Sequence, residues 1–515
     1  MIEVWNIAIN GYRSDRTGST SSKARQELNR REGSLRFTYL FRSFSSFCYA
    51  VTIAAAVLLI FPCNRAYADY AEDLMDNTLD FTKAQEEAGQ QYLVKPISKI
   101  TAEYFGFSYS NDAKGGIYCF ENSEGRCIDQ ANNVIATIEG KGRYDQRIYF
   151  YYRAERTEEG QLRLKKAYSL LRMGIWSLEF GKDTIWIGPG YHGSFLLSNN
   201  AEGYMVIRLR TEDPVKLPLN LGEFKYDIFR GWSENFSLLG QTFKWRPVSI
   251  FEFGANEVVS IYPGYHFQIY QYPKLFIPQS YSYYDQYGNF ITPTKMKASL
   301  DAILDMPFLS QVSPFVNGKL YAEYAGNDSY SYYQSIDRKW VWPFGFDFLN
   351  IAWMTGLFVT TGDVDFHFEY AQNYVSYPLF YDFYVANGDT DQRRQGYWYS
   401  DPINTRYGMI TGHEMGNDAD DYYFEVTIRH NPGSLKIYYN QERHGLSKNV
   451  SYPPEHRYEF GLNPAYHVKN VTLFADLIYN HYKNVNYSTN PVQYDIHPGT
   501  ELDEYIIGLG TAIGF

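Results

Sequence analysis

From about residue 131 to the end of the chain, apolar side chains recur at every second position in segment after segment. Ile148, Phe150, Tyr152 and Ala154 alternate with Tyr149, Tyr151, Arg153 and Glu155; Val364, Phe366, Phe368 and Tyr370 alternate with Asp365, His367 and Glu369. Tyr422, Phe424, Val426 and Ile428 do the same against Tyr423, Glu425, Thr427 and Arg429. Residues i and i+2 of a strand share a face, so this period predicts strands with one apolar and one polar side. Two architectures use such strands: a soluble sandwich or propeller, and a transmembrane barrel with lipid outside and a polar interior. Charges crowd the polar faces and aromatics the apolar ones, which matches a lumen and interfacial girdles and favours the barrel. The last segment agrees: Tyr505, Ile507, Leu509, Thr511, Ile513 and Phe515 share one face, and mostly small residues the other. A terminal Phe on such a strand resembles the assembly signal of outer-membrane barrels; at the end of a soluble protein it would be an exposed apolar edge. The length after residue 130 accommodates roughly 16 to 18 strands. The fold class expected is all-β: a transmembrane antiparallel β-barrel of about 18 strands with a small N-terminal periplasmic segment.

The front of the chain reads differently. Phe47 to Phe61 is an uncharged apolar run preceded by Arg30, Arg31, Arg36 and Arg42 and followed by Ala66-Tyr67-Ala68. It is shorter than the about 20 residues a spanning helix takes, and its flanks are those of a secretory signal cleaved before Asp69. Residues 1–68 are therefore expected to be a leader, with an over-extended start. Cys63 follows Phe61-Pro62, where a lipoprotein leader would carry small residues. Residues 69–130 are expected to form a periplasmic cap, partly helical over Ala71 to Gly89, with the barrel at 131–515. Only Cys119 and Cys127 remain after cleavage, and outside the cytosol an isolated pair at that spacing reads as a disulfide staple rather than a metal site.

Composition narrows the function classes. Of 515 residues, 50 are Tyr and 18% are aromatic, which excludes a disordered chain. Mean hydropathy of −0.41 excludes a bundle of membrane helices. The net charge is −11, and loss of 1–68 removes nine basic and four acidic residues, making it −16. Such a balance excludes nucleic acid as a partner, since phosphate binding needs clustered Lys and Arg.

One string stands out between two strands, Trp186-Ile187-Gly188-Pro189-Gly190-Tyr191-His192-Gly193-Ser194, running on to Asn199-Asn200-Ala201. By itself it is a rigid turn flanked by aromatics. As a whole it resembles the W-x-G-P-G…G-S…N-N-A signature of the Wzi-type capsule assembly family. Gly240 to Pro247, running to Phe251–Ala255, and Gly412-His413-Glu414-Met415-Gly416-Asn417-Asp418 resemble later stretches of that family. The motif positions are thus Trp186, Gly188, Pro189, Gly190, Tyr191, Gly193, Ser194, Asn199, Asn200, Gly412, His413, Gly416 and Asp418. The resemblance spans about 170 to 515. It implies an 18-stranded outer-membrane lectin that holds capsular or related polysaccharide at the cell surface, although only about 60 residues stand where the family carries a periplasmic three-helix bundle.

Sugars present C–H faces to aromatic planes and hydroxyls to polar groups, and Tyr offers both with few rotamers to freeze. Tyr281, Tyr283, Tyr284 and Tyr287, then Tyr332 and Tyr333, then Tyr397, Trp398 and Tyr399 are the carbohydrate-binding candidates, with Arg338 and Arg393 as clamps for uronic carboxylates. Individually each aromatic reads as girdle or loop core; only the clusters point to sugar. No G-x-S-x-G, H-E-x-x-H, Walker or C-x-x-C string occurs, so no catalytic residue, cofactor or metal is expected. Asp365 and Glu369 share a strand face and read as lumen solvation. The acidic stretches Asp389–Asp391 and Asp418–Asp421 read as solvated turns, with cation bridging to lipopolysaccharide as the other reading. The expected partners are extracellular polysaccharide, outer-membrane lipid and lipopolysaccharide, and the barrel assembly machinery through the Phe515 strand. The alternative function is a porin or saccharide diffusion channel.

Overall fold

The computed structural model describes residues 92–110, 117–129, 133–145, 147–156, 162–233, 236–262, 283–284, 290–291, 294–312, 314–327, 351–373, 405–406, 409–446, 453–485 and 499–515. Eighteen antiparallel strands close into a ring. They are β1 (Tyr92–Tyr109), β2 (Asn133–Tyr144), β3 (Ile148–Arg156), β4 (Leu162–Met173), β5 (Trp176–Asp183) and β6 (Tyr204–Thr211). Next come β7 (Glu223–Trp232), β8 (Ser237–Val248), β9 (Phe251–Ile261), β10 (Thr294–Asp305), β11 (Asn317–Asn327) and β12 (Ile351–Thr360). The ring ends with β13 (Val364–Gln372), β14 (Ala419–His430), β15 (Gly433–His444), β16 (Glu455–Val468), β17 (Val471–Lys483) and β18 (Glu501–Gly514). Each strand pairs with its neighbours in sequence, and β1 pairs with both β2 and β18. Closure runs from Lys99 opposite Gly514 to Tyr109 opposite Glu504. The Phe515 amide donates to the Ser98 carbonyl at 3.0 Å, so the terminal residue is stitched to the first strand.

The faces are reversed relative to a water-soluble protein. Phe180 is 57% exposed while its neighbour Glu179 is 1% exposed; Ile507 is 53% exposed and Glu504 3%. Burying charges while exposing Phe, Leu and Ile is unfavourable in water, but it is what lipid on the outside and a polar interior require. Closure leaves no unpaired edge for the hydrocarbon to meet. Among the described residues no helix is long and apolar enough to cross a membrane. Tight turns join β4 to β5, β8 to β9, β12 to β13, β14 to β15 and β16 to β17, while long connections lie at the other end. In outer-membrane barrels the tight-turn end is periplasmic.

Two expectations need correction. Residues 92–109, assigned above to a cap ahead of the barrel, form its first strand, so the barrel begins at Tyr92 rather than near 131. The alternation there is blurred because Phe105 and Phe107 point inward, where they pack with Tyr118, Ile128 and Phe120 of a small hairpin inside the barrel. That hairpin carries the Cys119–Cys127 disulfide across directly opposed positions. The leader and the helix expected at 71–89 lie outside the described residues. The second correction concerns the interior, which is not polar throughout. Towards the long-connection end, inward Ala325, Ala352, Ala371 and Ala419 make room for Ile187, Phe195, Leu196 and Leu197, forming an apolar core inside the ring.

Candidate functional site

That inner core belongs to the β5–β6 connection, residues 184–203, which folds into the barrel instead of lying over its rim. Ile187 and Leu197 form an antiparallel bridge, with the Ile187 amide donating to the Leu197 carbonyl at 2.9 Å, and Ser194 Oγ donates to the Ile187 carbonyl. At its tip, Gly188 has φ +135°, a conformation side chains resist, and a Cβ there would meet Ser194 Oγ at 2.8 Å. Gly193 is held by proximity: a Cβ would sit 2.4 Å from two atoms of the His413 ring. Gly-Pro-Gly thus turns the chain, and the second glycine motif lets another loop close on it.

The tip is anchored on the far wall. Tyr191 and Gly193 donate their amides to the Glu369 carboxylate on β13 at 2.8 and 2.9 Å. Tyr191 Oη donates to Glu425 Oε1 on β14 at 3.2 Å, and the His192 ring stacks on Tyr423 with centroids 3.7 Å apart. Since β5 and β14 stand nine places apart in a ring of eighteen, the loop crosses the bore. Eight residues from Asp183 to Tyr191 reach at most about 28 Å, consistent with such a span once side chains meet it. Lys297 on β10 holds the loop from a third side, donating to the Leu196 carbonyl at 2.9 Å. Tyr321 bridges Glu369 and His367, with Oη 2.7 Å from His367 Nε2.

Two further inward loops pack on this one. From the β13–β14 connection, the Thr411 and Gly412 carbonyls accept from the Ser198 amide at 2.9 Å and Ser198 Oγ at 2.6 Å, and the Ile410 carbonyl accepts from Asn200 Nδ2 at 3.2 Å. From the β1–β2 connection, the Glu124 and Gly125 amides donate to the Asn199 and Asn200 carbonyls at 2.7 and 2.8 Å. Gly416 and Asp418 shape the return into β14: both have positive φ, the Gly416 carbonyl accepts from Asn373 Nδ2, and the Asp418 carbonyl accepts from the Gly445 amide at 2.9 Å. All thirteen motif residues therefore lie in one assembly, although their two blocks are more than 200 residues apart in sequence.

Buried ionisable groups gather where the loops meet. Burial works against charge on His413, yet Glu414 outweighs it and the imidazole is pushed up to about 9. His192 likewise stays well above the ordinary range because Glu414 and Asp421 overcome its burial. Burial would raise Glu414, but His413 and His192 hold its carboxyl far below the usual range. Glu121 goes the other way: burial pushes it up despite Arg457 beside it. Arg457 donates to Glu121, Glu442 and Glu459, and Arg126 to Glu103 at 3.0 Å and Glu155 at 2.8 Å, tying the β1–β2 loop to the wall.

On the tight-turn side of the crossing loop lies a cavity of about 420 Å³. Its lining includes the Trp186–Tyr191 segment and, from the wall, Arg208, Arg210, Lys225 and Lys244 among other charged groups. An indole and a phenol beside guanidinium and ammonium groups suit a hydroxylated or acidic ligand. Trp186, Gly188, Pro189, Gly190 and Tyr191 are the motif residues that line it. Of the carbohydrate candidates, Tyr283 and Tyr284 fall on a two-residue strand opposite Phe290–Ile291, and nothing further is described for them. Tyr281, Tyr287, Tyr332, Tyr333, Arg338, Arg393, Tyr397, Trp398 and Tyr399 lie outside the described residues. The wall residues that hold the loop are not legible as such in the sequence: Glu369 reads there as lumen solvation, Glu425 only as a polar-face position, and Tyr321 and Lys297 are given no role. Their only signal was a charged or phenolic side chain on an inward face.

The profile of the family described as capsule assembly protein Wzi matches residues 102–493. No curated protein matches the chain. Among solved structures, Wzi of Escherichia coli, described as an outer membrane protein involved in group 1 capsule assembly and a carbohydrate-binding β-barrel, superposes with TM-score 0.54 at 12% identity over 86% of this chain and 89% of that one. OpdQ of Pseudomonas aeruginosa follows at TM-score 0.45 and 9% identity, over 82% of this chain and 98% of that one. OccAB2 of Acinetobacter baumannii stands at 0.44 and 10%, over 81% and 98%. At these identities the structural likenesses speak to the fold alone, and those below 0.5 carry no further argument. The sequence match spans well over half the chain, from within β1 to the approach of β18, and includes every motif residue of the crossing loop: this chain belongs to the Wzi capsule assembly family.

Proposed function

We propose that this outer-membrane barrel binds an exported polysaccharide and attaches it to the cell surface without chemically altering it. The observation that carries the reading is the loop 184–203 crossing the bore and fixed to β10, β13 and β14. A barrel spanned in this way is a rigid platform rather than a diffusion pore. Family membership and the carbohydrate binding described for Escherichia coli Wzi support the choice of ligand. The polymer contacts are assigned to the long outer connections, where Tyr281, Tyr283, Tyr284, Tyr287, Tyr332, Tyr333, Tyr397, Trp398 and Tyr399 supply stacking faces and Arg338 and Arg393 the polar clamps. Export through a cleaved leader and barrel assembly through the Phe515 strand complete the proposal.

Deleting the gene is expected to release polymer into the medium while synthesis continues; unchanged retention on the cell would refute the reading. A pull-down of polymer by the refolded barrel, compared with a variant in which Tyr281, Tyr283, Tyr284 and Tyr287 are Ala, tests the site. Loss in the variant supports the outer loops, whereas equal capture removes that cluster from the site. The porin reading predicts steady ohmic steps from the wild-type protein in planar bilayers.

A further inference from the structure

The three inward loops bring Glu121, His192 and Glu414 to one point beside Asp421 of β14. His192 Nε2 lies 3.6 Å from Glu121 Oε2, 3.1 Å from Glu414 Oε1 and 3.3 Å from Asp421 Oδ2. The His192, Glu414 and Asp421 side chains are 7%, 4% and 2% exposed. His192 Nε2, both Glu414 oxygens and Asp421 Oδ1 are buried outside any well-formed hydrogen bond; what the cluster has instead is ion-pair approach, of His192 to Glu121, Glu414 and Asp421 and of His413 to Glu414. Buried polar atoms left in that state are costly, and four on one spot call for a partner of different geometry.

A tetrahedral ion with donors at about 2.0–2.1 Å places those donors roughly 3.3–3.4 Å from one another. The three distances measured from His192 Nε2 bracket that edge. Glu121, His192 and Glu414 offer donor atoms all within 4.8 Å of one another, as do His413, Glu414 and Asp421. An imidazole nitrogen in the set argues against calcium and magnesium, which take oxygen shells, and for a borderline ion. The supporting contacts are in place too. Tyr423 stacks on the His192 ring at an interplanar angle of 10°, Arg457 holds Glu121, and His413 Nδ1 lies 3.1 Å from Glu414 Oε1. Such outer contacts fix ligand orientation in metal sites.

We propose that His192, Glu121, Glu414 and Asp421 bind one divalent transition-metal ion of the zinc class. The ion joins the β1–β2, β5–β6 and β13–β14 loops to the wall of β14 and so locks the crossing loop in the bore. This is a site for a structural ion and stands whether or not the barrel binds polysaccharide.

The test uses the tag-free chain purified in detergent, stripped with EDTA, supplied with Zn²⁺ and freed of excess by gel filtration. Elemental analysis is expected to find about one Zn²⁺ per chain, falling at least about tenfold in His192→Ala and in Glu414→Gln. Zn²⁺ but not Mg²⁺ is expected to raise the melting temperature of the stripped protein. Heat-modifiable migration on gels establishes that the variants have folded. If they do not fold, X-ray absorption on the wild type decides, with an imidazole and oxygen shell near about 2.0 Å expected. Background zinc in the wild type, full zinc in folded His192→Ala, or a shell without imidazole would each overturn the proposal.

Discussion

Replacing Glu369 by Ala removes the acceptor that pins the tip of the crossing loop. Its carboxylate takes amides from Tyr191 at 2.8 Å and Gly193 at 2.9 Å, both in a buried setting. A hydrogen bond to a charged group contributes about 1.5–3 kcal/mol, so the pair contributes about 3–6 kcal/mol to docking. Tyr321 keeps His367 as a partner and adds little to the loss. With each 1.4 kcal/mol worth about tenfold, the undocked population should rise by roughly a hundredfold to ten-thousandfold. The assay is single-channel recording in planar bilayers, paired with limited proteolysis within 184–203. Glu369→Ala should open more often, by up to that increase, and cleave faster, while Glu369→Gln, which keeps one acceptor oxygen, should fall between. Gel migration before and after boiling establishes that the barrel is intact. A folded Glu369→Ala protein as silent and as protected as the wild type would refute the docking argument.

Ile507→Arg places a charge on the lipid face of β18 and should cost about 2–4 kcal/mol if the position lies near the bilayer midplane, read by urea titration of the barrel in lipid vesicles. Gly193→Ala drives a methyl into the His413 ring and should destabilise the loop assembly by about 1–3 kcal/mol, seen as faster cleavage of 184–203 with little change in barrel melting. Cys119→Ser with Cys127→Ser opens a small loop and should cost no more than about 3 kcal/mol, leaving a barrel that still shifts on heating. Loss of the barrel in that double variant would mean that the hairpin is needed for closure.

The strand ladder was legible because each strand is two-faced and the period survives on both faces. It failed at β1, where Phe105 and Phe107 face inward to meet Tyr118 and Ile128, so apolar residues fall on both sides and the alternation vanishes. The polar inward positions were legible as a class, yet Asp365 and Glu369 read only as solvated carboxylates. What distinguishes Glu369 is the pair of amides that a turn from across the bore brings to it, which no local pattern encodes. The family motif fared better, since its glycines answer to a positive φ at Gly188 and to a ring packed on Gly193. The cluster at His192 was invisible for the opposite reason: its donors lie at 121, 192, 414 and 421, and only closure of three loops unites them. Ten histidines scattered along the chain give no spacing from which that meeting could be read.

Binding of the cell's own polysaccharide to the refolded barrel in lipid vesicles tests the account most directly. Saturable capture of polymer on vesicles whose barrels pass no ionic current is the result predicted. Steady conductance with no polymer retained would contradict it.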